Sequence, residues 1–239
     1  MIQIRSKPTD RLIELGGGAN PLIRPNVDCR QCFDAQGNPT VDFTADFEQP
    51  LPIQSEEFDG ILCRYCLEHL SYTKIPVFLK EVFRIMVPGG RAAFVTPNTM
   101  AQLEWVRTHS SVGSDNGGTG WDGKEFFEAA SEVLFGTLDY PENSHKAFLS
   151  PGVAQRLFRE AGFVDIKTTP YGERDTDMVI EVIKPRTVEE VVLPANLLLL
   201  RLRVHLPLLV GIKLREVVIA GWWCQRQPAQ VVERLRARA

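Results

Sequence analysis

A chain of 239 residues, 44% hydrophobic and 24% charged, has ordinary globular composition and enough length for one substantial core. Its formal charge of −3 gives no global attraction for phosphate backbones, so no nucleic acid partner is expected. The five cysteines are an odd number and "MIQIRSKPTD" lacks a secretory apolar core, which predicts reduced thiols in a cytoplasm.

Strand-like and helix-like segments alternate along the chain. "RLIEL" (11–15) is a short apolar run that ends at Gly16, Gly17 and Gly18, and "PNVD" carries a second short strand to Asp28. "FDGILC" (58–63) is another apolar run, in which Asp59 reads as a structural turn residue. In "IPVFLKEVFRIM" (75–86), Val77, Phe78, Val82, Phe83 and Met86 recur at helical spacing; "VPGG" then stops the helix and "RAAFVTP" reads as a strand. Residues 98–149 fit the alternation worst, with a turn-forming "GSDNGGTGWDG" followed by a helical "KEFFEAASEVLFG". Inserts at such a point often cover a pocket, so a cap is expected there. "SPGVAQRLFREAGF" has Ser150 as helix cap, Pro151 at the first position and Gly162 past the end. "FVDIKTTPYG" and "DMVIEVIKP" are close enough to pair, with "REVVIAGWWCQRQ" a rival for the terminal strand. Strands separated by helices argue for an α/β class with a mostly parallel sheet covered on both faces.

This reading divides the chain into a domain over 1–184 and an apolar extension over 185–239. The most apolar stretch, 191–223, is interrupted by Arg201, Arg203 and Lys213, and its charge-free pieces are about ten residues long. A bilayer span needs about twenty. Packing on the domain, a homodimer contact, or peripheral membrane contact through 191–215 all remain open for it.

In a doubly wound sheet, ligands sit beyond the carboxyl ends of the strands. Gly16 to Gly18 lie just past the first strand, where absent side chains let backbone N–H groups approach a nucleoside. Asp28 follows only ten residues after Gly18, whereas a dinucleotide fold places its ribose-binding acid about twenty residues beyond the glycines. The first helix must therefore shrink to about one turn, starting near Asn20 and Pro21. That disfavours a nicotinamide cofactor, whose pyrophosphate needs a proper helix N-terminus, and favours adenosine without a phosphate chain.

The ordered set "ELGGGANP", "NVD", "ADFEQPLP", "FDGILCRYCLEHL", "VFRIMVPGGRAAFVTPN" and "HKAFLSPGVAQRLFREAGF" resembles class I S-adenosylmethionine-dependent methyltransferases of the small-molecule and surface-sugar type. The resemblance implies a Rossmann-like, seven-stranded, mostly parallel sheet with helices on both faces and an antiparallel C-terminal strand. It implies O- or N-methylation of a small-molecule or sugar-containing acceptor, with S-adenosylmethionine as cofactor. Glu14 and the turn of Gly16, Gly17 and Gly18 would hold the methionine end, and Asp28 the ribose. Asp46 would meet the adenine amino group and the backbone of Phe47 a ring nitrogen. Backbone groups at Cys63 and Arg64 would meet the amino-acid portion. Asn20 replaces the family's third glycine and tolerates left-handed geometry.

"CRQC" (29–32) and "CRYC" (63–66) have zinc-like spacing, but lie on opposite sides of the first strand, so no metal site is expected. A cysteine-ligated metal protein and a binding-only member of the fold stay open as rivals. Methyl transfer needs a protein base only when the acceptor must lose a proton. His69, in "LEHL", and His145, before "KAFLSP", are the candidate catalytic residues; His109 and His205 are not. Trp105, Trp121, Phe126 and Phe127 would either stack on an acceptor or pack a small core.

Overall fold

Seven strands make one sheet in the computed structural model, which describes residues 9–109, 126–172 and 174–186, all within the unit Met1–Val192. They are β1 (Leu12–Leu15), β2 (Asn26–Asp28), β3 (Phe43–Thr44), β4 (Phe58–Arg64), β5 (Met86–Pro97), β6 (Val164–Tyr171) and β7 (Asp177–Ile183). The order is β3-β2-β1-β4-β5-β7-β6. Pairing is parallel from β3 through β5, and β7 runs antiparallel to both neighbours. This is the Rossmann-like sheet expected, with "DMVIEVIKP" as its antiparallel strand. The rival "REVVIAGWWCQRQ" lies outside the described residues, as does the extension from residue 187.

Central strands enclosed by other layers read as near-continuous apolar runs. Ile13 and Leu15 of β1, Ile61 and Cys63 of β4, and Phe94 of β5 are all buried. The chain leaves β1 outward through β2 and β3, then returns to β4 on the other side of β1. That reversal opens a crevice at the carboxyl ends of β1 and β4.

The helices are unevenly distributed. Among the described residues, the β1–β2 and β2–β3 connections contain none, and the expected turn of helix at Asn20 is absent. Helical cover lies on the later crossovers: α1 (Ile75–Ile85) before β5, then α2 (Thr99–His109), α3 (Phe126–Phe135) and α4 (Pro151–Ala161) before β6. In α1 the buried positions are Ile75, Phe78, Leu79, Val82 and Ile85, while Val77 is exposed. The apolar stripe is thus rotated slightly from the expected one, because Met86 has left the helix to begin β5. That strand starts five residues earlier than "RAAFVTP", at Met86 rather than Arg91, through a register break between Phe58↔Met86 and Gly60↔Arg91. Asp59 belongs to β4 rather than a turn, and accepts hydrogen bonds from Arg11 at 3.0 and 3.3 Å. No helix of the described residues is long and apolar enough to cross a membrane.

α4 begins and ends as its sequence predicts. Ser150 Oγ accepts from the Val153 N–H at 3.4 Å, and Gly162 closes the helix at φ +106°. From α4, Phe158 packs edge-on to Phe94 of β5 at 4.7 Å and tilted to Phe163 at 5.7 Å. Phe158→Ala would leave a void between helix and sheet, costing about 3–5 kcal/mol. The urea midpoint should fall accordingly without a change in slope; an unchanged midpoint would mean that this contact does not tie α4 to the sheet.

Candidate functional site

The register places Asp28 beside Thr44 at the ends of β2 and β3, with Arg64 at the end of β4. Beyond these ends lies a cavity of about 960 Å³. Gly16, Gly18, Asp28, Asp46 and Phe47 lie on its wall, joined by Tyr65, Cys66 and His69. Five of the ten expected cofactor positions therefore share one surface.

The other five stand behind it. Glu14 is wholly buried, and its carboxylate accepts from the N–H groups of Leu22 at 2.5 Å and Ile23 at 2.8 Å. Arg64 donates to the same carboxylate through Nε at 2.7 Å and Nη2 at 2.6 Å, and Nη2 also reaches the Asn20 carbonyl at 2.7 Å. Glu14, Asn20 and Arg64 thus form a bracket that holds the glycine turn rather than a surface that meets a ligand. Cys63 is buried in β4, and its expected place on the wall is taken by Tyr65 and Cys66. Tyr65, at φ +49°, turns the chain into the cavity, and its hydroxyl donates to Asp177 at 2.8 Å.

The turn itself is fastened by Asn26, a buried amide inside β2. Its Oδ1 accepts from the Gly17 N–H at 3.1 Å, and its Nδ2 donates to the carbonyls of Gly18 at 3.1 Å and Thr40 at 3.0 Å. Gly17 has no room for a side chain: a Cβ would sit 2.6 Å from Asn26 Oδ1 and 2.9 Å from Glu14 Cδ. Asp28 Oδ2 accepts from the Gly18 N–H at 2.9 Å, while Oδ1 has only a long contact, 3.3 Å, to the Arg30 N–H. Asp28 therefore keeps lone pairs for a ligand. Asp46 caps its own turn by accepting from the Glu48 N–H at 2.8 Å, and the Phe47 ring stacks on Phe78 at 5.2 Å.

The opposite wall comes from the insertion: Tyr140, Glu142, Asn143 and Lys146 line the cavity. Arg30 stacks over Tyr140 at 3.8 Å, joining this wall to the loop after β2. The segment is anchored by the Glu68 carbonyl, which accepts from the N–H groups of Lys146 at 2.7 Å and Ala147 at 3.1 Å. Trp105 is not on the wall; it lies 5.8 Å from the Arg174 guanidinium. Trp121 and the side chains of Phe126, Phe127 and His109 lie outside what is described, as do His205 and Cys224.

The two candidate histidines are brought together. The rings of His69 and His145 stand edge-on at 5.1 Å, with His69 on the wall and His145 behind it. Burial lowers the His69 pKa; burial and then the neighbouring His69 push His145 down to about 4. Glu68 is buried beside them, accepts from Thr96 Oγ1 at 2.9 Å, and is pushed up to about 8 by desolvation. Sequence reading missed Asn26, Tyr65, Glu68 and Lys146. Only the first carried a signal, a polar residue inside a short buried strand.

Among the described residues the four cysteines are free and form no converging group of ligating atoms. The pairs flank β1 as expected, one following β2 and one at the end of β4. Although Cys29 is exposed as a residue, desolvation of its sulfur and then the Asp28 carboxylate push its thiol up to about 12.

Two outcomes follow from this geometry. Glu14→Ala strands a largely buried guanidinium and two N–H groups, and should lower stability by about 3 kcal/mol in chemical denaturation. A loss below about 1 kcal/mol would mean that the bracket is dispensable. Iodoacetamide at pH 8 should modify Cys29 at least about tenfold more slowly than a free cysteine, read by peptide mass mapping. A rate equal to that of the free amino acid would show the thiol to be unperturbed.

Part of the chain is similar to known methyltransferases. Residues 25–94 match the family model described as a methyltransferase domain. A 2-phytyl-1,4-naphthoquinone methyltransferase of Thermosynechococcus vestitus is 30% identical over 125 residues, 50% of this chain and 49% of that protein. A probable phthiotriol/phenolphthiotriol dimycocerosates methyltransferase of Mycobacterium ulcerans is 28% identical over 114 residues, 41% and 42% of the respective lengths. The chain spans about half the length of the curated relatives it matches. Among solved structures, a possible histamine N-methyltransferase of Thermotoga maritima aligns over 74% of this chain and 84% of its own, at 20% identity and a TM-score of 0.46. The segment matched by the methyltransferase-domain model runs from β2 into β5.

Proposed function

We propose that the chain transfers a methyl group from S-adenosylmethionine to an oxygen or nitrogen of a small-molecule or sugar-containing acceptor. One observation carries this reading: Asp28 and Asp46 open onto the same cavity beside Gly16. The cavity's volume is at the upper end for small-molecule sites, which suits a nucleoside with an acceptor beside it.

The donor set fits a phosphate-free nucleoside. Asp28 has unfilled acceptor capacity for a ribose diol, at the end of the second strand where such an acid belongs. Asp46 and the backbone of Phe47 stand further along the same wall, for the adenine edge. Gly16 and Gly18 present backbone at the methionine end, with Tyr65 and Cys66 opposite them. No helix starts within 16–25 to cradle a pyrophosphate, which weighs against a nicotinamide cofactor.

When bound, the cofactor supplies a methyl group on positive sulfur, open to in-line displacement. The chain's own part is to hold the acceptor against that group and exclude water. Tyr140, Glu142, Asn143 and Lys146 form a polar wall for the acceptor. His69 is on the cavity wall and its ring offers a lone pair there, available to a proton or to a metal ion; His145 touches His69 and positions it. The relatives named for a naphthoquinone and for dimycocerosates support an acceptor that is neither protein nor nucleic acid.

Calorimetric titration with S-adenosylhomocysteine tests the assignment. The wild-type chain should bind about one equivalent, and Asp28→Ala should weaken binding at least about tenfold by removing charge-assisted hydrogen bonds. Wild type that does not bind, or Asp28→Ala that binds equally well, would overturn it.

A further inference from the structure

Three side chains of metal-ligating type converge at the acceptor end of the cavity, and the cofactor reading makes no joint use of them. Glu68, His69 and His145 each offer one ligating atom, and the three atoms lie within 4.8 Å of one another. They are the converging group of this kind among the described residues.

Each of the three is oriented from behind by a second group. His69 Nδ1 lies 3.2 Å from the Ser144 carbonyl, which as a donor leaves Nε2 with its lone pair. The His145 backbone N–H donates to the Phe135 carbonyl at 2.9 Å, which fixes the residue against the end of α3. One carboxylate oxygen of Glu68, Oε2, accepts from Thr96 Oγ1 at 2.9 Å. An imidazole whose far nitrogen is tied to a carbonyl, as in His69, and a carboxylate tied to a hydroxyl, as in Glu68, have the outer-shell support that metal ligands receive. Packing alone would not require three polar groups to point inward to one spot.

We propose that Glu68, His69 and His145 bind a divalent first-row transition ion whose open coordination positions face the acceptor part of the cavity. Two neutral imidazoles and one carboxylate suit zinc, manganese, iron or cobalt better than magnesium, which prefers oxygen and retained water. Ligands about 2.1 Å from a tetrahedral ion stand roughly 3.4 Å apart, so the three close inward by about 1 Å or somewhat more on binding. Because His69 is on the cavity wall, an ion held by the three would be open toward the cavity. There it would meet the acceptor's heteroatom as a Lewis acid. This deepens the methyl-transfer reading by naming what orients the acceptor.

The test uses the full chain, stripped with a chelator, and requires neither cofactor nor acceptor, so its failure leaves the methyl-transfer reading standing. Calorimetric titration with Zn²⁺ should show about one equivalent bound, and Co²⁺ should give visible d–d absorption. His69→Ala and His145→Ala should each weaken binding at least about tenfold, as should the volume-conserving His145→Asn if the alanine variant loses its circular dichroism. A Cys29→Ser/Cys32→Ser variant should bind as wild type does, since those thiols lie outside the triad. Wild type that takes up less than about a fifth of an equivalent would overturn the proposal. So would histidine variants that bind as tightly as wild type, or binding lost with the cysteines instead.

Discussion

A carboxylate cannot lie wholly out of water without partners, and the glycine-turn side of the cavity is arranged around that requirement at Glu14. Its oxygens take two backbone N–H groups from the loop after β1 and the guanidinium at the end of β4. A helix at this point would satisfy its own amides; here Leu22 and Ile23 present theirs to a side chain instead. The buried charge thus substitutes for the missing first helix and ties two neighbouring strand ends to the turn between them. Shortening the connection brings Asp28 forward, and the Asn26 amide keeps the shortened loop from collapsing onto the sheet.

The opposite wall of the cavity is assembled differently. Its wall belongs to the insertion between β5 and β6, far along the chain from the glycine turn. The link is the 3-10 turn Leu67–His69, where the Glu68 carbonyl holds residues 146 and 147 while its side chain reaches Thr96 of β5. One residue therefore ties together the end of β4, the floor at β5 and the insertion. The same turn carries His69 to the wall and sets it against His145. The burial of these polar groups is offset by the contacts of His69 with the Ser144 carbonyl and of Glu68 with Thr96.

The division between wall and bracket explains why motif positions need not touch a ligand. Glu14, Gly17 and Asn20 sit within the glycine-turn signature and Arg64 reaches it from the end of β4, yet all four are consumed in shaping the turn. Gly17 is small because Asn26 and Glu14 fill the space where a Cβ would stand, not because a ligand approaches it. Gly16 and Gly18 differ in that both take left-handed backbone, at φ +76° and +55°, and both reach the cavity.

Local patterns in the sequence were enough to place six of the seven strands, though not β3 or the early start of β5, together with the α4 caps at Ser150 and Gly162 and the ten-residue gap that excludes a long first helix. Those features depend on neighbours within a few positions, where periodicity, capping and turn chemistry act. The glycine turn and Asp28 were legible for the same reason, since each follows directly from the end of a strand, whereas Asp46 and Phe47 came only from the family resemblance. Folding alone determined that Arg64 answers Glu14 fifty positions away, that Tyr65 reaches Asp177, and that His145 meets His69 and Glu68. Such pairings cross the sheet between distant segments, and a buried polar group chooses its partner by what the packed strands leave within reach.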